Sequence, residues 1–132
     1  MEVKTYHGSC NCKKVKFEVQ LDLAQGTFKC NCTSCTKARF WAASVKPESF
    51  KFISGESDLT IYGSRVDGMF CKHCGIGIGG RGDLPQVGGK FVAINLAALD
   101  DLDSREWAAA PVQYLDGLHD RWDREPEFKG HM

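Results

Sequence analysis

The chain has 132 residues, and its 17 lysines and arginines balance its 17 aspartates and glutamates. This length predicts one domain, residues 1–132, whose core buries about two-thirds of the unfolded surface. A formal net charge of zero gives no general attraction to phosphate backbones or anionic lipid, so we expect no nucleic-acid or membrane partner. The first residues lack an apolar run and no stretch is long enough to span a membrane, which predicts a cytoplasmic protein with reduced thiols.

Short strands dominate the predicted elements. Residues 14–21 alternate apolar and polar side chains, which is the period of a half-buried strand. Further segments rich in aromatic or β-branched residues predict strands at 27–30, 40–45, 50–53, 59–62 and 90–96. The glycine-rich stretch 75–89 predicts a mobile excursion between strands. Residues 97–110 predict a helix, with a cap among residues 100–104 and an end at Pro111. The sum is a mainly β fold with short helical segments.

The seven cysteines lie in three tight clusters. The first holds Cys10 and Cys12, the second Cys30, Cys32 and Cys35, and the third Cys71 and Cys74. An odd number excludes complete internal disulfide pairing. Thiolates two or three residues apart reach one tetrahedral zinc ion without large backbone rearrangement. The grouping of four plus three therefore predicts one closed zinc site and one site with an open coordination position.

The first and third clusters together, here the outer quartet, predict a structural zinc site. On a strand, Cys10 and Cys12 share one face, so both sulfurs can turn onto one ion. In the CKHCG segment, Gly75 can adopt the positive φ that turns the chain around a metal. The alternative, a set of buried free thiols, fits poorly with the polar neighbours of these cysteines.

The second cluster, here the middle trio, predicts a site for chemistry. Three sulfurs leave a tetrahedral zinc one ligand short, and the open position admits a water or a substrate thiol. A thiol bound to zinc is deprotonated at neutral pH, so the metal would fix and orient a nucleophilic thiolate. Two alternatives remain: a redox pair of Cys30 and Cys35, or closure of the site by a histidine. The candidate histidines are His7, His73 and His119.

The segment 116–123 combines His119 with three aspartates. Their spacing has no recognised ligand geometry. We therefore interpret this segment as a solvated charged surface and not as a further metal site.

Three motifs resemble those of the glutathione-dependent formaldehyde-activating enzyme family, also called S-(hydroxymethyl)glutathione synthase, which includes the centromere protein V relatives. They are GSCNC at 8–12, CNCTSCTK at 30–37 and FCKHCG at 70–75. The resemblance implies an antiparallel β-tent with two zinc ions. It assigns the outer quartet to a structural zinc and the middle trio, Cys30, Cys32 and Cys35, to a catalytic zinc.

The middle motif departs from the family pattern CHCSxCRK. Asn31, Thr33 and Thr36 replace its histidine, serine and arginine, whereas Lys37 remains. Loss of the arginine removes a bidentate donor to a carboxylate. The candidate substrate-binding residues are Lys37, Arg39 and Trp41, and the candidate pocket walls also include Phe40 and the loop at Arg81. The alternatives are solvated roles for Lys37 and Arg39 and a core role for Phe40 and Trp41.

The leading functional hypothesis is a zinc-dependent carbon–sulfur lyase or synthase. It would add glutathione or a related small thiol to formaldehyde or another aldehyde. One alternative is a non-catalytic zinc-binding module that binds a protein partner. Another is a zinc storage or transfer protein. A water or thiol as the fourth ligand of the middle site would favour the enzyme, whereas a protein side chain would favour the binding module. Substoichiometric metal that is easily removed by a chelator would favour the transfer protein.

Overall fold

The computed structural model describes residues 3–63 and 66–132 and contains two β-sheets. The three-stranded sheet has the order β1-β2-β5, formed by Lys4–Ser9, Lys16–Leu21 and Phe50–Ser54. The seven-stranded sheet has the order β10-β3-β4-β9-β8-β7-β6. In chain order, its strands are β3 Thr27–Cys30, β4 Trp41–Val45, β6 Leu59–Tyr62, β7 Val66–Cys71, β8 Gly77–Leu84, β9 Gly89–Asn95 and β10 Val112–Leu115.

The predicted mainly β fold with short helical segments is confirmed. Neighbouring strands pair antiparallel throughout the described residues, apart from the parallel pair of β10 and β3. Two helices of six residues each, α1 Thr33–Ala38 and α2 Ser104–Ala109, complete the regular structure together with short 3-10 turns. Within the described part of the chain, no helix has the length and apolar character needed to cross a membrane.

Both sheets contribute to one main hydrophobic core. On β2 the predicted alternation holds, since Phe17 and Val19 are fully buried and Lys16 is exposed. The seven-stranded sheet contributes Met69 and Ile94 to the same core. Full burial of a large apolar side chain stabilises the fold by about 1.5–3 kcal/mol, so this shared core holds the two sheets together.

The glycine-rich stretch 75–89 is not the predicted mobile excursion. Most of it forms β8, a strand that lies inside the seven-stranded sheet between β7 and β9. Ile78 is fully buried, and a Cβ on Gly79 would lie only 2.2 Å from the carbonyl oxygen of Ala93. The glycines therefore permit close backbone approach within a sheet, and glycine content alone does not separate this situation from a loop.

The predicted helix over 97–110 is too long. Residues 96–98 form a 3-10 turn, and α2 begins only after Asp103, whose Oδ1 accepts a 2.9 Å hydrogen bond from the N–H of Glu106. Between these elements the chain follows β1. The N–H of Asp100 donates to the carbonyl of His7, and the Asp101 carboxylate accepts from the His7 N–H. Tertiary hydrogen bonds to β1 thus replace the first turns of the predicted helix.

The predicted strands at 27–30 and 59–62 have their expected bounds. Those at 40–45 and 50–53 differ by one residue at one end, and the strand predicted at 90–96 lies one residue earlier, at 89–95. The sequence did not predict β1, β7, β10 or α1. Each of these is at most six residues long, and β7 and β10 have weak apolar patterns.

Candidate metal and active site

The outer quartet connects the two sheets. Cys10 and Cys12 lie in the turn between β1 and β2, and Cys71 and Cys74 lie at the end of β7 and in the turn before β8. The four sulfurs lie within 4.8 Å of one another. The Sγ–Sγ distances are 3.5 Å for Cys10 and Cys12 and 3.7 Å for Cys12 and Cys71. Two sulfurs on a tetrahedral zinc with 2.3 Å bonds lie about 3.8 Å apart, so these thiols can hold a metal ion and fit zinc.

Backbone amides surround the outer quartet. The N–H of Val15 donates to the sulfur of Cys10 at 3.3 Å, and the N–H of His73 donates to that of Cys71 at 3.4 Å. The N–H of Ile76 is the main cause that lowers the pKa of the Cys74 thiol to about 6. Gly75 has φ +80°, the positive φ that the sequence predicts for the turn of the chain around a metal. These amides favour the thiolate form, which is the form that binds metal.

The middle trio lies where β3 passes into α1. Cys30 ends β3, Cys32 precedes the first residue of α1, and Cys35 lies in the helix. Their sulfurs also lie within 4.8 Å of one another; Cys30 is buried and the other two are half-buried. A six-residue segment therefore brings the three thiols together. They can hold a metal ion, again as a soft donor set that fits zinc.

No histidine or carboxylate joins the middle trio within the described residues. The three histidines considered as a fourth ligand each contact a carboxylate instead. His7 contacts Asp101 and Glu18, His73 contacts Asp58, and His119 contacts Asp116. The trio thus offers three protein ligands.

Hydrogen bonds distribute the protons of the middle trio unequally. A hydrogen bond from Cys35 is the main cause that lowers the pKa of Cys30 to about 6, against the effect of burial. The N–H groups of Cys32 and Gly117 act in the same direction. The same pairing with Cys30, followed by burial, raises the pKa of Cys35. These hydrogen bonds therefore favour the thiolate form at Cys30 over the thiolate form at Cys35 when no metal is bound.

Asn31 connects the middle trio to the segment after β10. Its Nδ2 donates to Asp116 Oδ1 at 3.0 Å, and its Oδ1 accepts from the N–H of Leu118 at 2.9 Å. These bonds form because β10 pairs in parallel with β3, with Leu115 beside Cys30. Asp116 is 2% exposed, and the bonds from Asn31 and then His119 lower its pKa. The interpretation of 116–123 as solvated surface is therefore wrong for Asp116, because strand pairing buries it.

Gly117 lies directly against Cys30. A Cβ at this position would lie 2.5 Å from Cys30 Sγ and 2.7 Å from the Trp122 ring. We expect Gly117→Ala to weaken metal binding by the middle trio about 10- to 100-fold, the range for residues that support metal ligands. Competition with a chromophoric chelator measures this affinity. Gly130→Ala is the matched control, because a Cβ there meets nothing within 4 Å, and equal affinities for both variants would contradict the expectation.

A cavity of about 140 Å³ lies beside Cys30 and Cys35. Arg39, Phe40 and Trp41 line it, so the structure brings two of the three predicted substrate-binding residues to the middle trio. Lys37 is exposed on α1 and does not line this cavity. Arg81 lies on β8 and lines a separate groove, so it does not form a wall here as predicted.

Trp41 serves both the core and the cavity. Its Nε1 donates to Thr27 Oγ1 at 2.8 Å, and its ring packs edge-on against Trp107 at 5.3 Å. These contacts fix the ring where it lines the cavity.

Several residues around the trio carry no sequence signal. Lys29 also lines the cavity and lies beside Cys30 on β3, but its place in an alternating strand suggests only a surface side chain. Gly117 and Asp116 reach the site only through the pairing of β10 with β3. His131 and Met132 line the cavity from more than ninety residues away in the chain.

The fold and the two thiol clusters define a mainly β protein that can hold a metal ion at two separate places. The sequence model of the glutathione-dependent formaldehyde-activating enzyme family matches residues 5–116. The chain belongs to this family, which confirms the resemblance of its three motifs. A crystal structure of a Rhodobacter sphaeroides protein shares the fold, with a TM-score of 0.68 and 23% sequence identity over 81% of this chain and 99% of that one.

Proposed function

We propose that the protein is a zinc-dependent carbon–sulfur lyase that reversibly adds glutathione, or a related small thiol, to formaldehyde or another small aldehyde. The observation that carries the proposal is a cluster of three thiols that borders a cavity and has no fourth protein ligand within the described residues. Family membership supports it, because the family description names both glutathione and formaldehyde.

In this proposal the two thiol clusters have different roles. The outer quartet holds a structural zinc, and Cys30, Cys32 and Cys35 hold a second zinc at the cavity. A zinc ion there would lower the pKa of a bound thiol, so that the substrate is a thiolate at neutral pH.

The proposed reaction conserves atoms and charge. The substrate sulfur forms a bond to the aldehyde carbon, and the C=O π electron pair moves onto the oxygen. That oxygen takes up, through solvent, the proton that the thiol released. The product is a hemithioacetal, and the reverse sequence regenerates thiol and aldehyde.

The protein side chains bind and orient the substrates in this proposal. Arg39 attracts a carboxylate of the thiol, Phe40 and Trp41 exclude water from the cavity, and Lys37 contacts a part of the substrate that extends outside it. Holding both reactants in one small space supplies proximity, which is a large part of the rate gain in a bimolecular addition.

The proposal also includes a single domain and a reducing, cytoplasmic compartment. The seven free cysteines support it, because thiols must stay reduced to bind zinc. The contacts of His7, His73 and His119 with carboxylates favour the enzyme over a non-catalytic module, since that module needs a closed middle site.

Nuclear magnetic resonance exchange spectroscopy tests the reaction. Formaldehyde and glutathione are mixed at equilibrium, and the exchange rate between free glutathione and its hydroxymethyl adduct is measured with and without protein. We expect the native protein to accelerate exchange several-fold over buffer and Cys32→Ser to give the buffer rate. Equal rates for native protein, variant and buffer would overturn the proposal.

A further inference from the structure

We infer that Lys29 and Arg39 form a subsite for a carboxylate of the thiol substrate, and that residues 129–132 occupy this subsite until the substrate displaces them. The inference rests on the proposed function and adds to it. It assigns a role to Lys29, identifies what the two cations bind together, and makes the occupancy of the cavity depend on a segment of the chain itself.

The two cations converge on neighbouring backbone carbonyls. Arg39 Nη1 donates to the carbonyl of His131 at 2.8 Å, and Lys29 Nζ donates to that of Met132 at 3.4 Å. Both acceptors are main-chain oxygens on consecutive residues. A carboxylate presents two oxygens with a negative charge, and charge-assisted hydrogen bonds are about twice as strong as neutral ones. The two donors therefore suit the two oxygens of a carboxylate ligand.

Neither cation forms an ion pair with an aspartate or glutamate side chain in the described part of the chain. Lys29 is also half-buried, with its ammonium 5.2 Å from the centre of the Trp41 ring. Two positive charges at a cavity, with no acidic side chain paired to them, attract an anionic ligand.

The backbone of Arg39 supports a functional role for its side chain. Arg39 follows α1 with φ +55° and ψ +45°, a left-handed conformation that glycine or asparagine adopts more readily. An arginine in this conformation costs stability, and strained residues cluster at ligand sites. Here the conformation directs the guanidinium to the cavity beside Cys35.

The size of the cavity shows why the segment must move. About 140 Å³ corresponds to about five water molecules, enough for the glycyl carboxylate arm of glutathione but not for the whole tripeptide. His131 and Met132 form part of the cavity wall. Their displacement frees both cations and enlarges the space next to the middle trio.

Few contacts hold residues 129–132 in place. Lys129 pairs with Glu125 at 2.7 Å and lies 4.8 Å from the Tyr114 ring centre, and residues 127–131 are exposed. Exposed ion pairs contribute little, and segments with few buried contacts open at low free-energy cost. The segment can therefore yield to a ligand with a stronger interaction.

The inference is tested by measuring the Kd of S-methylglutathione for the zinc-loaded protein with isothermal titration calorimetry. This probe keeps both carboxylates but has no thiol, so it binds without reacting. We expect Lys29→Gln and Arg39→Gln each to raise its Kd about 10-fold or more, and deletion of residues 129–132 to lower it several-fold. The matched control is Lys16→Gln, an exposed lysine on β2, which should bind as the native protein does.

The outcomes separate this inference from the proposed reaction. Unchanged Kd values for Lys29→Gln and Arg39→Gln, weaker binding after the deletion, or no binding to the native protein would each overturn the subsite. A different result is an exchange rate that the protein does not raise above the buffer rate, together with higher Kd values for Lys29→Gln and Arg39→Gln. This result would refute the lyase activity and support the subsite.

Discussion

Cys71→Ser is expected to abolish the folded state. Cys71 is completely buried at the end of β7, and its sulfur lies 3.7 Å from that of Cys12. A structural zinc site contributes an apparent ~10–16 kcal/mol at neutral pH. The net stability of a small domain is about 5–15 kcal/mol, so loss of one ligand removes most or all of it. Far-UV circular dichroism and zinc content of the purified variant measure the effect.

Metal removal provides the matching test on the native chain. A strong chelator should unfold the protein, and added zinc should restore the dichroism signal under reducing conditions. A native-like spectrum for both Cys71→Ser and the chelated protein would show that the outer quartet is not a structural metal site.

Cys32→Ser is expected to leave a folded protein that binds one zinc ion fewer and does not accelerate thiol–aldehyde exchange above the buffer rate. Cys32 is half-buried and occupies the N-cap of α1 without a side-chain capping bond. Serine is a preferred N-cap residue, so the start of the helix should be kept or improved. Serine is a poor zinc ligand, and only two thiols of the trio would remain. Zinc content, far-UV dichroism and exchange spectroscopy give the three readouts.

The two substitutions serve as controls for each other. Both replace one cysteine by serine, but one acts on the outer quartet and the other on the middle trio. Equal loss of structure in both variants would contradict the division into a structural and a catalytic site. Full activity of Cys32→Ser would exclude the middle trio from the reaction.

Local patterns in the sequence predicted those parts of the fold that depend on neighbouring residues. The alternation around Phe17 and Val19 predicted β2, since one face of that strand is buried. The same reasoning failed for β8, where glycines serve close strand packing and not a turn. It also overextended the second helix, because Asp100 and Asp101 bind the backbone of His7, more than ninety residues away.

The residues of the candidate site likewise fall into those that local sequence predicts and those that it does not. Ligands two or three residues apart can be recognised from spacing, and both thiol clusters were predicted for this reason. The residues that border the middle trio come from distant segments. Asp116 and Gly117 arrive through a parallel strand pair, and His131 through a hydrogen bond to Arg39. A single sequence contains no periodicity that reports such pairings.

The position of the outer quartet has a consequence under oxidising conditions. Each of its cysteine pairs belongs to a different sheet, so an ion bound there would crosslink the two sheets. Oxidation of Cys71 and Cys74 to a disulfide would remove two of the four thiolate ligands. The crosslink between the sheets would then be lost. The layers could then separate and expose Phe17 and Met69. Peroxide treatment should therefore release zinc and cause aggregation together, at the same oxidant dose.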